Sequence, residues 1–146
     1  MMIRKAAEPD LDEFLALSRQ FEEEQTTYGL IANTRENFYE YLGGYFYVVE
    51  ADQRIVGYLY GRKHENNGLS VFQNDDFYYF ELEEIYIHPG YRNLGYGTKL
   101  IEVLKKDLEQ EGIKRLLVSS ANKDWEKIYR FYLKNGFRSW TITMFI

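Results

Sequence analysis

Arg92-Asn93-Leu94-Gly95-Tyr96-Gly97 lies between two differently patterned stretches of the chain. Ahead of it, Leu82 to Ile87 reads as a largely apolar strand, and behind it Leu100, Ile101, Leu104 and Leu108 repeat at helical spacing. A helix beginning at about Asn93 or Leu94 leaves its first N–H groups without intrahelical partners, at the positive end of the helix dipole. A phosphate satisfies both. Glycines at 95 and 97 let such an anion approach the backbone, and Arg92 can add a charge-assisted contact. The bland alternative is that the two glycines only let the helix pack closely on its neighbours.

Two better-known phosphate motifs do not fit. The dinucleotide fingerprint needs GxGxxG, and the P-loop needs GxxxxGK followed by Ser or Thr; Gly90 to Gly97 gives neither spacing.

A length of 146 residues is a single-domain size, so residues 1–146 are expected to form one domain. With 45% hydrophobic and 28% charged residues, the composition is that of a soluble globule, and 14 tyrosines point to much aromatic packing. No apolar run approaches the roughly 20 residues of a membrane span, and the start lacks a secretory pattern, so no membrane partner and a cytoplasmic location are expected. A net charge of −5 argues against a nucleic-acid partner, which needs a basic face. The lack of cysteine removes disulfides, thiolate metal sites and any acyl-cysteine intermediate. With only His64 and His88 available, no metal is expected, and His88 beside Pro89 reads as a turn residue.

Along the chain, a short strand near Met2 to Lys5 leads through Pro9 into a helix with Leu11, Phe14, Leu15, Ser18 and Phe21 on one stripe. A second helix runs from about Thr34, its cap, to Leu42. Tyr45 to Glu50 and Ile55 to Arg62 read as a hairpin, and His64 to Asp76 as a long polar loop before the strand Phe77 to Ile87, one that covers substrate or, the favoured reading, is merely mobile. A helix closed by Gly112 follows the glycine turn. Then come a strand from Arg115 to Ser120, a helix from about Asp124 to Asn135, and a final strand or hairpin from Phe137 to Ile146. The order indicates an α/β sheet with helices on its faces.

The glycine stretch resembles the RxxGxG motif of the GNAT superfamily of N-acyltransferases. Leu82-Glu83-Glu84-Ile85-Tyr86-Ile87-His88-Pro89 is similar to the strand that family places before its loop, and Phe131-Tyr132-Leu133-Lys134-Asn135-Gly136-Phe137 to its late helix. The resemblance covers essentially the whole chain. It implies a mixed, twisted sheet of about six to seven strands flanked by about four helices, with a splayed parallel strand pair forming an acetyl-CoA wedge. On this reading, acetyl-CoA is the cosubstrate. Its pyrophosphate would lie on the backbone of Arg92, Asn93, Leu94, Gly95, Tyr96, Gly97 and Thr98, and its pantetheine arm would pair with Ile85, Tyr86 and Ile87.

A protonated amine has no lone pair with which to attack a thioester, so a base is needed. Strand alternation puts Glu81 and Glu83 on one face and Glu84 on the other. The resemblance makes Glu83 the first candidate for the base and Glu81 the second. It makes Tyr132 the acid that protonates the departing thiolate, with Tyr129 as local competitor and the Ile85 N–H as oxyanion donor. One departure is Trp125, where many members carry an asparagine that contacts the cofactor.

The acceptor side is less legible. Glu22, Glu23, Glu24, Tyr28, Phe38, Tyr39 and Tyr41 suit a cation with some apolar body, although each reads as well as a solvated helix end or a core aromatic. The leading expectation is direct acetyl transfer, through a ternary complex, to a small or peptide amine. The alternatives are a catalytically weak acetyl-CoA sensor or regulatory module and a dimeric structural or regulatory protein whose terminal strand and aromatic surface form the partner interface; a homodimer is a possible partner state.

Overall fold

The computed structural model describes residues 1–146 and holds one five-stranded sheet in the order β1 to β5. β1 (Met2–Lys5), β2 (Tyr45–Ala51), β3 (Arg54–Glu65) and β4 (Tyr78–Ile87) pair antiparallel in chain order, and β5 (Leu116–Val118) joins β4 in parallel. Helices α1 (Leu11–Glu23) and α2 (Arg35–Tyr41) cover one face, while α3 (Tyr96–Gln110) and α4 (Trp125–Lys134) contribute to the other.

The two layers follow from side-chain period. β2 is buried on both faces, so Phe46 and Val48 meet Leu11, Phe14 and Phe38, while Tyr47 and Val49 meet Leu100, Ile101, Leu104 and Leu108. Arg4 of β1 forks onto Asp10 at the head of α1, with both bonds 2.8 Å, and its Nε donates to Glu50 of β2 at 2.9 Å. The guanidinium holds the Asp10 carboxyl below its ordinary range.

Helix ends follow their sequence signals. Thr34 caps α2 by accepting from the Asn37 N–H at 3.2 Å, and the Asp124 side chain caps α4 by accepting from the Lys127 N–H at 3.3 Å. Gly136, at φ 91°, ends α4, letting the Phe137 N–H reach back to the Tyr132 carbonyl at 3.0 Å. His88 is the turn residue expected, its Nδ1 accepting from the Gly90 N–H at 3.0 Å.

Two expectations need correction, the number of strands and the terminal strand. The sheet has five strands instead of six or seven, because the terminal strand or hairpin does not form. Residues 138–146 make no backbone hydrogen bond, although Trp140, Ile142 and Met144 alternate as a strand would. β5 is only three residues long, and its outer edge gives such a tail little to pair with. The tail is exposed, with the Phe145 ring meeting that of Tyr28 at 5.6 Å. In the loop before β4, the Asn66 amide donates to the Asp76 carbonyl at 2.9 Å, its Oδ1 accepts from the Leu69 N–H, and Arg115 donates to Asp76 at 2.8 Å.

Candidate active site

β4 and β5 touch only where Phe80, Glu81 and Leu82 face Leu116, Leu117 and Val118. From Glu83 to Ile87, β4 has no strand on that side, so the sheet splits. The His88 N–H donates to the Val56 carbonyl at 2.8 Å, which sets the phase of the β3–β4 ladder. By that alternation Tyr86, opposite Tyr58, bonds to β3, while Ile85 and Ile87 turn their N–H and C=O groups into the split. Tyr86 therefore offers the cleft its ring and not its backbone. The cleft holds about 530 Å³ and runs from Ile85 and Ile87 past Gly95 and Gly97 to Ile128 and Phe131 of α4.

At its head, Asn93 (φ 62°) and Gly95 (φ 83°) adopt left-handed conformations. These keep the turn out of the helix, so α3 starts at Tyr96, later than the Asn93 or Leu94 expected. The first bond of the α3 ladder runs from the Lys99 N–H to the Gly95 carbonyl, 3.0 Å. The N–H groups of Asn93, Leu94, Gly95, Tyr96, Gly97 and Thr98 donate to no backbone acceptor, and all of these residues except Leu94 line the cleft. Leu94 is 59% exposed. The packing alternative also has substance: a Cβ on Gly97 would lie 3.1 Å from the Phe131 ring. Gly95 serves the turn and Gly97 serves the seating of α4, so the unbonded amides are what point to an anion.

Arg92 departs from expectation. Its Nη2 donates to both carboxylate oxygens of Glu24, at 3.0 and 2.8 Å, and its Nε to the Ile87 carbonyl at 2.8 Å. The guanidinium is therefore tethered, and one of the wedge carbonyls is already capped.

The three glutamates are also rearranged. Tyr60 faces Glu84 while Gly61 faces Leu82, which leaves Glu83 as the extra residue of a β-bulge. A bulge restarts the alternation, so Glu84 shares the α1–α2 face with Glu81 and Glu83 and does not point the other way. Glu83 pairs with Arg62 at 3.2 Å, and Glu81 Oε2 lies 3.2 Å from His64 Nε2 without the alignment of a hydrogen bond. Glu84 is the buried one. It accepts from the Tyr58 hydroxyl, from Tyr60 at 2.9 Å and from the Asn33 amide at 3.3 Å, and burial raises its pKa although these donors oppose the shift. None of the three glutamates lines the cleft.

Tyr132 lies on α4 beside the cleft-lining Phe131, with its ring 5.2 Å from that of Phe131 and 5.3 Å from that of Phe137. Burial pushes its phenol up to about 12. Trp125 is 62% exposed at the start of the same helix, and Asn122, three residues before it, lines the cleft, its Oδ1 accepting from the Asp124 N–H. Of the acceptor-side candidates, Phe38 is core, Glu22 accepts from the Ala32 N–H, and Tyr41 stacks under Arg62, 4.6 Å from its ring centroid. Tyr28 and Tyr39 are exposed. The sequence reading missed Asn33, Tyr58 and Tyr60 around Glu84 because they reach it from two other segments, the loop before α2 and β3. No group of three or more His, Asp or Glu side chains gathers to hold a metal, and no helix is long and apolar enough to cross a membrane.

A sheet that opens at its parallel pair, with unbonded amides at the head of the opening, offers an anionic ligand a seat between the two strands. The acetyltransferase (GNAT) family model matches residues 10–137, and the chain belongs to that family. Comparison with curated protein sequences gives no match. Among solved structures, the aminoglycoside antibiotic 6'-N-acetyltransferase of Acinetobacter haemolyticus is similar, with a TM-score of 0.76 and 17% identity over 100% of this chain and 97% of that one. An aminoglycoside N-acetyltransferase in complex with CoA gives 0.73 and 14% over 99% and 97%. The ribosomal-protein-alanine N-acetyltransferase of Brucella melitensis biovar Abortus gives 0.69 and 15% over 100% and 99%.

Proposed function

We propose that the protein transfers an acetyl group from acetyl-CoA directly to a primary amine, on a small cation or a peptide. The observation that carries this reading is the run of unbonded N–H groups from Asn93 to Thr98 opening onto the split beside Ile85 and Ile87. These amides suit a pyrophosphate, and the Ile85 N–H suits the thioester oxygen as it gains charge. The amine nitrogen attacks the thioester carbon, the C–S bond breaks, and the thiolate leaves with its electron pair. Glu83 accepts the amine proton through a water, with Glu81 as second choice; Tyr132 hydrogen-bonds the departing sulfur. Similar proteins named for aminoglycosides and for a ribosomal-protein alanine lend weight to both cationic and peptide acceptors.

Millimolar CoA or acetyl-CoA is expected to raise the melting temperature, and no shift would remove acetyl-CoA from the account. Thiol release across polyamines, aminoglycosides and peptides then tests turnover. An acetyl-CoA sensor is the second reading, favoured by one observation: Glu81, Glu83 and Tyr132 all lie outside the cleft lining. Binding without thiol release from any amine would establish it.

The base can be tested separately. Glu83→Gln is expected to lower kcat/KM about a hundredfold near neutral pH, with the deficit shrinking as pH approaches the amine pKa, where free amine needs no base. A variant that matches the parent across that range would discard Glu83 as the base.

A further inference from the structure

Glu24 directly follows α1 and was grouped above with the acidic residues of the amine side, yet it closes on the donor side. Its two carboxylate oxygens accept from Arg92 Nη2 at 3.0 and 2.8 Å, and one also accepts from the Tyr86 hydroxyl at 3.3 Å. The pair is sheltered, with the Glu24 side chain 16% exposed and that of Arg92 34%. Arg92 also lies over the Tyr86 ring, 5.4 Å from its centroid, and Phe21 of α1 stacks on that ring at 4.5 Å. With Nε on the Ile87 carbonyl, only Nη1 is left without a bond. Arg92 is the residue from which the chain enters the left-handed turn at Asn93.

A second set of contacts begins just behind Glu24. The Thr26 carbonyl accepts from the Lys123 N–H at 2.8 Å, and the Tyr28 N–H donates to the Ala121 carbonyl at 3.0 Å. At the far end of the segment, Asn33 holds Glu84 and donates its N–H to the Ser18 hydroxyl at 2.7 Å. Glu24 is thus tied to the cradle, and the segment behind it to the chain beyond β5 and, through Asn33, to Glu84 beside the bulge.

We propose that Glu24 is a positioning residue of the donor site. By fixing Arg92 it holds the turn from Asn93 to Gly95 in the shape that aims the free N–H groups at a pyrophosphate, and it ties that shape to the segment over the amine side. The proposal rests on the acetyl-CoA reading above. Amides help an anion most when they converge before it arrives, since ordering them on binding subtracts from affinity. A loose arginine at the mouth of the turn would let them spread. If Glu24 merely withheld Arg92 from the anion, its removal would tighten binding, so the sign of the effect decides.

The experiment measures CoA affinity by calorimetry, and kcat and KM for acetyl-CoA, in the parent, Glu24→Gln, Arg92→Gln and the double variant. Glu24→Gln is expected to weaken CoA binding and raise KM about tenfold, with kcat at saturating donor within about twofold of the parent. The double variant should bind no more weakly than Arg92→Gln alone, because both substitutions break one tether. Equal or tighter CoA binding by Glu24→Gln overturns the proposal, as does full additivity. Should Glu24→Gln fail to fold, Glu24→Asp carries the test with the same expected sign, since it keeps the charge but not the reach. A parent that does not bind CoA removes the donor reading itself, whereas a binding parent with an unaffected variant removes only this role.

Discussion

Gly61→Ala is expected to lower the unfolding free energy by more than about 3 kcal/mol, read as a shift in urea midpoint. A Cβ built on Gly61 would stand 2.1 Å from the Glu81 carbonyl oxygen and 2.7 Å from the Phe80 ring. Neither neighbour can step aside: one is strand backbone, and the other is a fully buried aromatic packed among Leu82, Leu100 and Leu104. The strands must separate instead, and they would do so beside the bulge at Glu83. Activity should therefore fall along with stability. A loss below about 1 kcal/mol would mean that the two strands yield more readily than a packed core allows.

The second large effect concerns chemistry. Tyr132→Phe is expected to lower kcat by about a hundredfold while leaving the acetyl-CoA KM within about twofold. A phenol pushed up to about 12 is fully protonated at neutral pH and so always available as a donor. Complete proton transfer from such a phenol to a less basic thiolate runs uphill, so the expected role is a hydrogen bond that strengthens as charge collects on sulfur. Such a bond acts on the transition state and hardly on the ground state, which is why kcat should carry the loss. An unchanged kcat would leave Tyr132 as a packing residue, the role its contacts with Phe131 and Phe137 already support.

Much of the architecture was legible because it rests on local rules. The helical stripe from Leu100 to Leu108, the Thr34 cap and the Gly136 stop each depend on neighbours a few residues away, and each is where the sequence puts it. The start of α3 was misplaced because Asn93, like Gly95, takes a left-handed conformation, which composition does not announce. The tail from 138 to 146 has strand-like alternation, but a strand also needs an edge to join, and the shortness of β5 is not visible in residues 137–146. The faces of the glutamates depended on a bulge set by the approach of Gly61 to β4, a contact between segments about twenty residues apart. Arg92 was read from its own stretch, whereas its partner Glu24 comes from the end of the first helix. Apart from that local turn at Asn93, what escaped the sequence was the identity of a distant partner.

The seating of Phe131 against Gly97 bears on how this chain could drift. A descendant relieved of acetylation would still need the bare Cα at 97 to hold α4, and the glycine at 95 to turn into α3, so selection for a folded protein alone would preserve both. The hydroxyl of Tyr132 and the carboxylate of Glu83 have no comparable hold: the first can be removed with the ring left in place, and the second forms an ion pair at the sheet surface. In such a lineage these two groups would erode first, and the glycine pair would outlast the activity it accompanies.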